Sequence, residues 1–106
     1  MTDKELLVLA AKAVGYVRMV YRDKVPYVSD KLNGGDFVAW NPLISDGDAL
    51  RLVVKLGILV VVDDIGVSTQ VVNFGFWDEN FKVNEDRYAK TRRTIVRAAA
   101  EIGRAN

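Results

Sequence analysis

Arginines near aromatic rings are the groups in this sequence with the most chemistry to offer. In the alternating stretch from Tyr16 to Arg22, Tyr16, Arg18 and Arg22 share one parity, so an extended strand points all three to the same side. Two tryptophans, Trp40 and Trp77, precede segments rich in turn-forming residues, and Trp77 sits in Phe-Trp-Asp-Glu-Asn, where large aromatics favour binding surfaces. Arg92 lies in an alanine-rich helical stretch, about 40° to 60° from the centre of its apolar sector. A guanidinium there must snorkel, pair with a carboxylate or line a pocket. Guanidinium forks recognise phosphate and carboxylate, and ring faces stack on bases. Tyr16, Arg18, Arg22, Trp40, Trp77 and Arg92 are therefore the candidate ligand-binding residues. Trp40 also reads as a core residue closing a sheet. Arg18 and Arg22 read equally as a solvated strand face or, if a loop covers them, as an anion-binding wall.

Catalytic chemistry has few residues to stand on. The chain has 106 residues with no His and no Cys, which removes the commonest general base, thiolate chemistry and the commonest zinc ligands. The acidic pair in Ser45-Asp-Gly-Asp48 is the best metal candidate. An EF-hand loop would continue with further acidic residues, whereas here the chain runs directly into Ala49-Leu-Arg-Leu52. Ser45 at an N-cap with Asp48 three residues on is a capping-box variant, and Asn41-Pro42 is a turn leading into it. Asp63 and Asp64 are neighbours on a strand and point to opposite faces, poor geometry for a two-carboxylate site. Neither GxxxxGK[ST] nor GxGxxG occurs. These observations point to no catalytic residues, no metal and no cofactor, hence to a protein that is not an enzyme.

Fifteen basic and fourteen acidic residues leave a net charge of +1, which argues against binding by bulk phosphate neutralisation. Lys90, Arg93, Arg97 and Arg104 gather on one side of the last helix with Glu101 among them, a solvated face or, in its sharper reading, a nucleic-acid surface. The longest apolar run, Ile58 to Val62, is far short of the ~20 residues a membrane span needs, and the N-terminal residues lack a secretory-signal pattern.

The elements that must position these residues follow from local signals. Thr2-Asp-Lys-Glu5 is a capping box, Leu6, Leu7, Ala10, Ala13 and Val14 fall on one face, and Gly15 stops a helix over Asp3–Val14. A strand follows over Tyr16–Arg22. Residues 23–35, with Pro26 and the turn signal Asn33-Gly34-Gly35, read as a connection, and Asp36–Trp40 as a short strand. Asp46–Leu56 is a second helix closed by Gly57. Ile58–Asp63 and Val67–Phe74 are strands, residues 75–83 an aromatic connection. Asn84 caps a last helix that Gly103 stops. The order α-β-β-α-β-β-α over a single domain, residues 1–106, predicts an α+β sandwich with a largely antiparallel four-stranded sheet.

Trp40-Asn-Pro-Leu43, followed by Asp46-Gly-Asp-Ala-Leu-Arg-Leu52 and Lys55-Leu56, resembles the signature of the phage ABA-sandwich domain family, NinX-like small proteins of tailed bacteriophages. Thr2 to Gly15 and Arg92 to Gly103 are similar to that family's two ends, so the resemblance spans roughly two-thirds of the chain by elements. Residues 16–38 and 64–83 match no pattern of the family. The resemblance implies a phage origin, the cytoplasm of an infected bacterial host and an α/β sandwich, and it brings no catalytic residues.

The expectation is a non-enzymatic phage accessory protein, of anti-defence type by class analogy, that sequesters a small anionic nucleotide-type ligand. A module that binds and inhibits a host protein is the alternative, and nucleic-acid binding through the last helix a further one. An exposed strand edge or apolar helix face could also build a homodimer or higher homo-oligomer.

Overall fold

The computed structural model describes residues 1–31 and 35–105. Three helices alternate with two three-stranded meanders: α1 (Asp3–Val14), β1 (Arg18–Arg22), β2 (Val25–Ser29), β3 (Val38–Ala39), α2 (Asp46–Leu56), β4 (Leu59–Val62), β5 (Gly66–Val71), β6 (Gly75–Asn80) and α3 (Arg87–Ala105). The α+β class holds. The single four-stranded sheet does not: the strands form two separate antiparallel sheets, β1-β2-β3 and β4-β5-β6.

Both unforeseen strands have a physical explanation. β2 contains Pro26, which lacks a ladder donor, yet it is the central strand of its sheet. Pro26 stands opposite Tyr21, just past the end of the two-residue β3, and there its carbonyl accepts from Trp40 N–H at 3.0 Å. The missing donor falls where the ladder ends, so it costs little. Asp23 and Lys24 both adopt positive φ, 51° and 66°, making the two-residue hairpin turn whose twist suits antiparallel strands. The turn expected at Asn33-Gly34-Gly35 lies, at Asn33 and Gly34, outside the described residues. β6 is disguised by Asp78, Glu79 and Asn80. Glu79 faces inward beside Trp77's side of the strand, and Arg97 of α3 donates to its carboxylate at 2.7 Å. The strand expected to run to Phe74 stops at Val71 and turns through Asn73 (φ 70°).

The two helix N-termini with Ser or Thr caps form as their sequences dictate. Thr2 Oγ accepts from Glu5 N–H at 3.1 Å, and Glu5 receives the Thr2 hydroxyl and backbone N–H in return, which holds its carboxyl below the ordinary range. Ser45 Oγ accepts from Asp48 N–H at 3.2 Å. The last helix starts later than expected. Asn84 takes a left-handed conformation (φ 62°), and Asp86 instead accepts Ala89 N–H at 3.1 Å to open α3 at Arg87.

Gly103 does not stop α3, which continues to Ala105. A Cβ at residue 103 would stand 1.9 Å from the Leu9 carbonyl oxygen of α1, so this glycine is where two backbones touch. Around that point the seam is built of small side chains, with Ala10, Ala98 and Ala99 fully buried. The core continues from it through Leu6, Leu52, Val28, Trp40 and Ile95, reaching both sheets. On the sheet side, Tyr21 encloses its hydroxyl without a hydrogen-bond partner among the described residues, while Lys4 Nζ lies 4.8 Å above its ring.

Two outcomes follow from these contacts. Gly103→Ala should lower stability by up to about 2 kcal/mol in urea titrations, because the clash (about 1–3 kcal/mol) outweighs the ~1 kcal/mol that alanine gains in helix propensity. A more stable variant would mean that the two helices can part freely. Tyr21→Phe should be neutral or stabilising by up to about 1 kcal/mol, since it removes a buried unsatisfied hydroxyl. Burial raises the Tyr21 pKa above its ordinary 10.0. The associated stability is complete below the unfolded value and is lost as pH climbs through the folded one. Thermal melts above pH 10 should therefore fall more steeply for wild type than for Tyr21→Phe.

Candidate functional site

The structure distributes the six candidate residues over four places. Tyr16 and Trp40 meet: their rings stand edge to face, 5.6 Å apart at 68°, with Trp40 only 4% exposed. Trp40 is brought there by the β3 end and by the turn after it, and Tyr16 by its N–H bond to the Ala11 carbonyl at the end of α1. Arg18 and Arg22 share a sheet face, as their spacing requires. Phe37 partly covers it, 4.5 Å from the Arg18 guanidinium and 5.8 Å from that of Arg22, which also lies 5.5 Å from Tyr27. Arg18 Nε donates to the Lys31 carbonyl at 2.8 Å. Tyr16 joins Trp40 rather than these arginines. Trp77 is half-buried on β6 opposite Thr69, packed against the core.

Arg92 is a pin between helices. Its Nε donates to the Leu43 carbonyl at 2.9 Å and its guanidinium pairs with Asp46 at 2.7 Å, with the Arg92 side chain 15% exposed. Of the fates open to a guanidinium there, carboxylate pairing is realised, and Arg92 also borders a groove. This also accounts for Asp46. Asp48 is equally occupied: one carboxylate oxygen accepts Asn41 N–H at 2.9 Å and the other accepts from Arg51 at 2.9 Å. Asn41 Oδ1 in turn accepts Leu43 N–H at 3.0 Å. The whole run from Asn41 to Asp48 is thus spent on its own turn and helix start, with Asp48's return bond going to Asn41 rather than to the cap residue.

The cationic side of α3 is tied up in the same way. Arg93 pairs with Asp3 at 2.8 Å, Arg97 with Glu79, Arg104 with Glu101 at 3.0 Å, and Lys90 with Glu85 at 2.6 Å. The Lys90 bond, with the Lys82 backbone N–H, draws the Glu85 carboxyl below its ordinary range. Such a neutralised stripe offers little net positive potential to a phosphate backbone.

One cleft brings the Tyr16–Trp40 pair together with cations. It holds about 450 Å³ and lies between the end of α1 and one face of α2, lined by Tyr16, Trp40, Leu52, Asp30, Arg51 and Lys55. That volume is within the range of small-molecule sites, roughly 300–1,000 Å³. Arg51 and Lys55 stand one helical turn apart on α2, so their charges add over the cleft. Arg51 reaches Asp48 from a largely exposed position, whereas Lys55 has no ion-pair partner among the described residues. Asp30 supplies the one carboxylate. Arg51 and Lys55 escaped the sequence reading because charged residues on an amphipathic helix resemble a solvated face, and Asp30 because it lies in the stretch expected to be a connection. Their i, i+4 spacing beside Leu52 was the available signal.

A second groove of about 570 Å³ runs between α2, α3 and β4, and its walls are mostly apolar: Leu50, Val53, Val60, Val62, Tyr88 and Ile95. Arg92 edges it, with Nε and one Nη engaged by Leu43 and Asp46. Among the described residues no group of three or more acidic side chains converges as a metal site would need, and no helix is long and apolar enough to cross a membrane.

Arg92→Ala should lower the stability by about 1–2 kcal/mol. It strands the Leu43 carbonyl, and the contribution of Asp46 is discounted because that carboxylate is mostly exposed. Lys55→Ala should leave the melting temperature unchanged, and a comparison of the two melts checks the difference between pin and free cation. No family model matches the chain, and neither a curated protein nor a solved structure is significantly similar to it.

Proposed function

We propose that the protein is a non-enzymatic binding protein that takes up a small anionic ligand of nucleotide type in the cleft of Tyr16, Trp40, Arg51 and Lys55. The observation that carries this reading is Lys55: a cation without an ion-pair partner among the described residues, beside Arg51, over a cleft edged by an aromatic pair. A phosphate would meet the Lys55 ammonium and the exposed side of the Arg51 guanidinium. The base would lie against the Tyr16 ring, since Trp40 is too deeply buried to offer a face. Asp30 would accept from the ribose hydroxyls or the exocyclic amine of a base, which distinguishes a nucleotide from a plain polyanion. The cleft carries no His or Cys, since the chain has neither, and its one carboxylate, Asp30, is assigned to binding.

The likeness of Trp40–Leu56 to the phage ABA-sandwich signature supports placing this activity in an infected bacterial cytoplasm. There a tight binder at sufficient concentration would lower the free level of a host nucleotide signal by mass action. Arg92 and Trp77, in this reading, hold the frame, and Arg18 and Arg22 stiffen the neighbouring sheet through Phe37.

Calorimetry against a panel of cyclic nucleotides and ADP-ribose derivatives tests the proposal. Lys55→Ala should weaken the binding nucleotide by at least about 10-fold, the equivalent of one charge-assisted hydrogen bond, with the fold intact. Absence of heat with every member of the panel, or binding indifferent to Lys55→Ala, would defeat it.

A further inference from the structure

β4 is an outer strand of its sheet, and nothing about it protects an edge. Natural edges are blunted by lysine, proline or a bulge. Here the strand reads Leu59-Val-Val-Val62, and Ile58 before it is apolar as well. Its side chains divide by parity. Leu59 and Val61 lie on the outer sheet face, while Val60 and Val62 lie on the inner face and floor the apolar groove. Both sets remain open to solvent: Leu59, Val61 and Val62 are 56%, 52% and 54% exposed. The inner set is open because α3 packs over β5 and β6 and leaves the margin of the sheet bare.

The hydrogen-bond phase of the hairpin fixes which backbone groups face outward. Asp63 N–H bonds to the Gly66 carbonyl at 3.0 Å, so residues 63 and 66 form a bonded pair. By alternation Val61 and Leu59 also bond inward to β5, and the N–H and C=O groups of Val60 and Val62 point to the free edge. An occupant must therefore offer a strand edge with two outward residues of matching spacing. It must also be apolar on both faces and bring no charge to the pairing.

We propose that the occupant is β4 of a second copy of this chain, joined antiparallel about a twofold axis through Val61. A twofold perpendicular to the sheet is the symmetry that pairs two identical edges antiparallel. It sets Val60 against Val62 of the second copy in both directions, so all four outward groups of each strand find partners, and Val61 meets its own symmetry mate. The two inner faces then join into one six-stranded sheet, and the grooves merge across the axis so that Val60 and Val62 of both copies cover one another. Within the paired stretch, Val60 to Val62, no charged side chain is opposed; the next pair sets Leu59 against Asp63 of the second copy, whose carboxylate accepts the Ile65 and Gly66 N–H groups. A helix laid in the groove would cover only the inner face, leaving the edge and Leu59 and Val61 exposed.

Sedimentation velocity on the full chain decides this. Wild type should sediment as a dimer at about 100 μM, a concentration that reveals any dissociation constant in the micromolar range. Val61→Lys places two ammonium groups opposite each other on the axis, and like charges there are repulsive. It should raise the dissociation constant at least 10-fold. Val62→Pro removes one outward N–H without touching the β5 ladder and should also dissociate the dimer, with circular dichroism unchanged for either variant. Val72→Lys, at a more exposed valine in the β5–β6 turn, should leave it intact. The proposal is overturned by a monomeric wild type, including one that instead takes up an added apolar peptide. A dimer that survives both β4 variants overturns it too, as does one that Val72→Lys also dissociates.

Discussion

Helix α3 can sit where it does only because Gly103 has no side chain. The backbone of α3 reaches the Leu9 carbonyl of α1 at a distance no Cβ tolerates, and the neighbouring alanines let the approach extend along the seam. Close packing of small residues gains dispersion contacts that larger side chains would hold apart. From that position α3 supports the remaining elements. It packs on α2 and on the inner face of β5 and β6, and it extends Arg92 to the start of α2 and Arg97 to β6. A single steric condition at the end of the chain thus governs the placement of α2, and with it both cavities.

The polar groups around this frame are satisfied locally, which determines what is left for function. At the start of α2 two carboxylates sit at the positive end of the helix dipole, an arrangement that is favourable before any partner is added. Asp48 then accepts Asn41 N–H, and Asp46 receives Arg92, so the acidic pair stabilises a junction rather than recruiting a cation. The same economy neutralises the basic side of α3. Among the groups left without such partners are Lys55, with Asp30 across the cleft, and the apolar margin of β4. The functional proposals rest on those remainders.

Legibility from sequence follows the range of the interaction. The bounds of α1 and α2 could be read to the residue because Thr2 with Glu5, Ser45 with Asp48, and the terminal glycines Gly15 and Gly57 act within one turn. β2 and β6 could not, because what permits them is tertiary. Pro26 is tolerated only where β3 has ended, and Glu79 only because Arg97 comes from another element to meet it. Gly103 has the local signature of a helix stop but is required by α1, ninety-odd residues earlier in the chain. The cleft residues follow the same rule. Arg92 was legible as a guanidinium in need of a partner, though not that Asp46 and Leu43 would be the partners. Arg51 and Lys55 looked like ordinary helix surface until Tyr16 and Trp40 were folded against them.

Both cavities share α2 as a wall, and the helix keeps them apart. At ~100° per residue, Asp46, Ala49, Leu50 and Val53 on the groove side and Arg51, Leu52 and Lys55 on the cleft side are centred roughly 160° from each other. One face of α2 is thus cationic and aromatic-lined, the other apolar. A strand pairing at β4 would cover the apolar side and leave the cleft open, so ligand uptake and self-association need not compete. The two are still joined through one body. Arg92 fixes the first turn of α2 from α3, and Lys55 rides on the last turn of the same helix. Any shift of α2 that dimerisation imposed on Leu50 and Val53 would move Lys55 with it. Independence of the two surfaces therefore depends on how rigidly the Arg92 pin and the Gly103 contact hold α2 and α3 together.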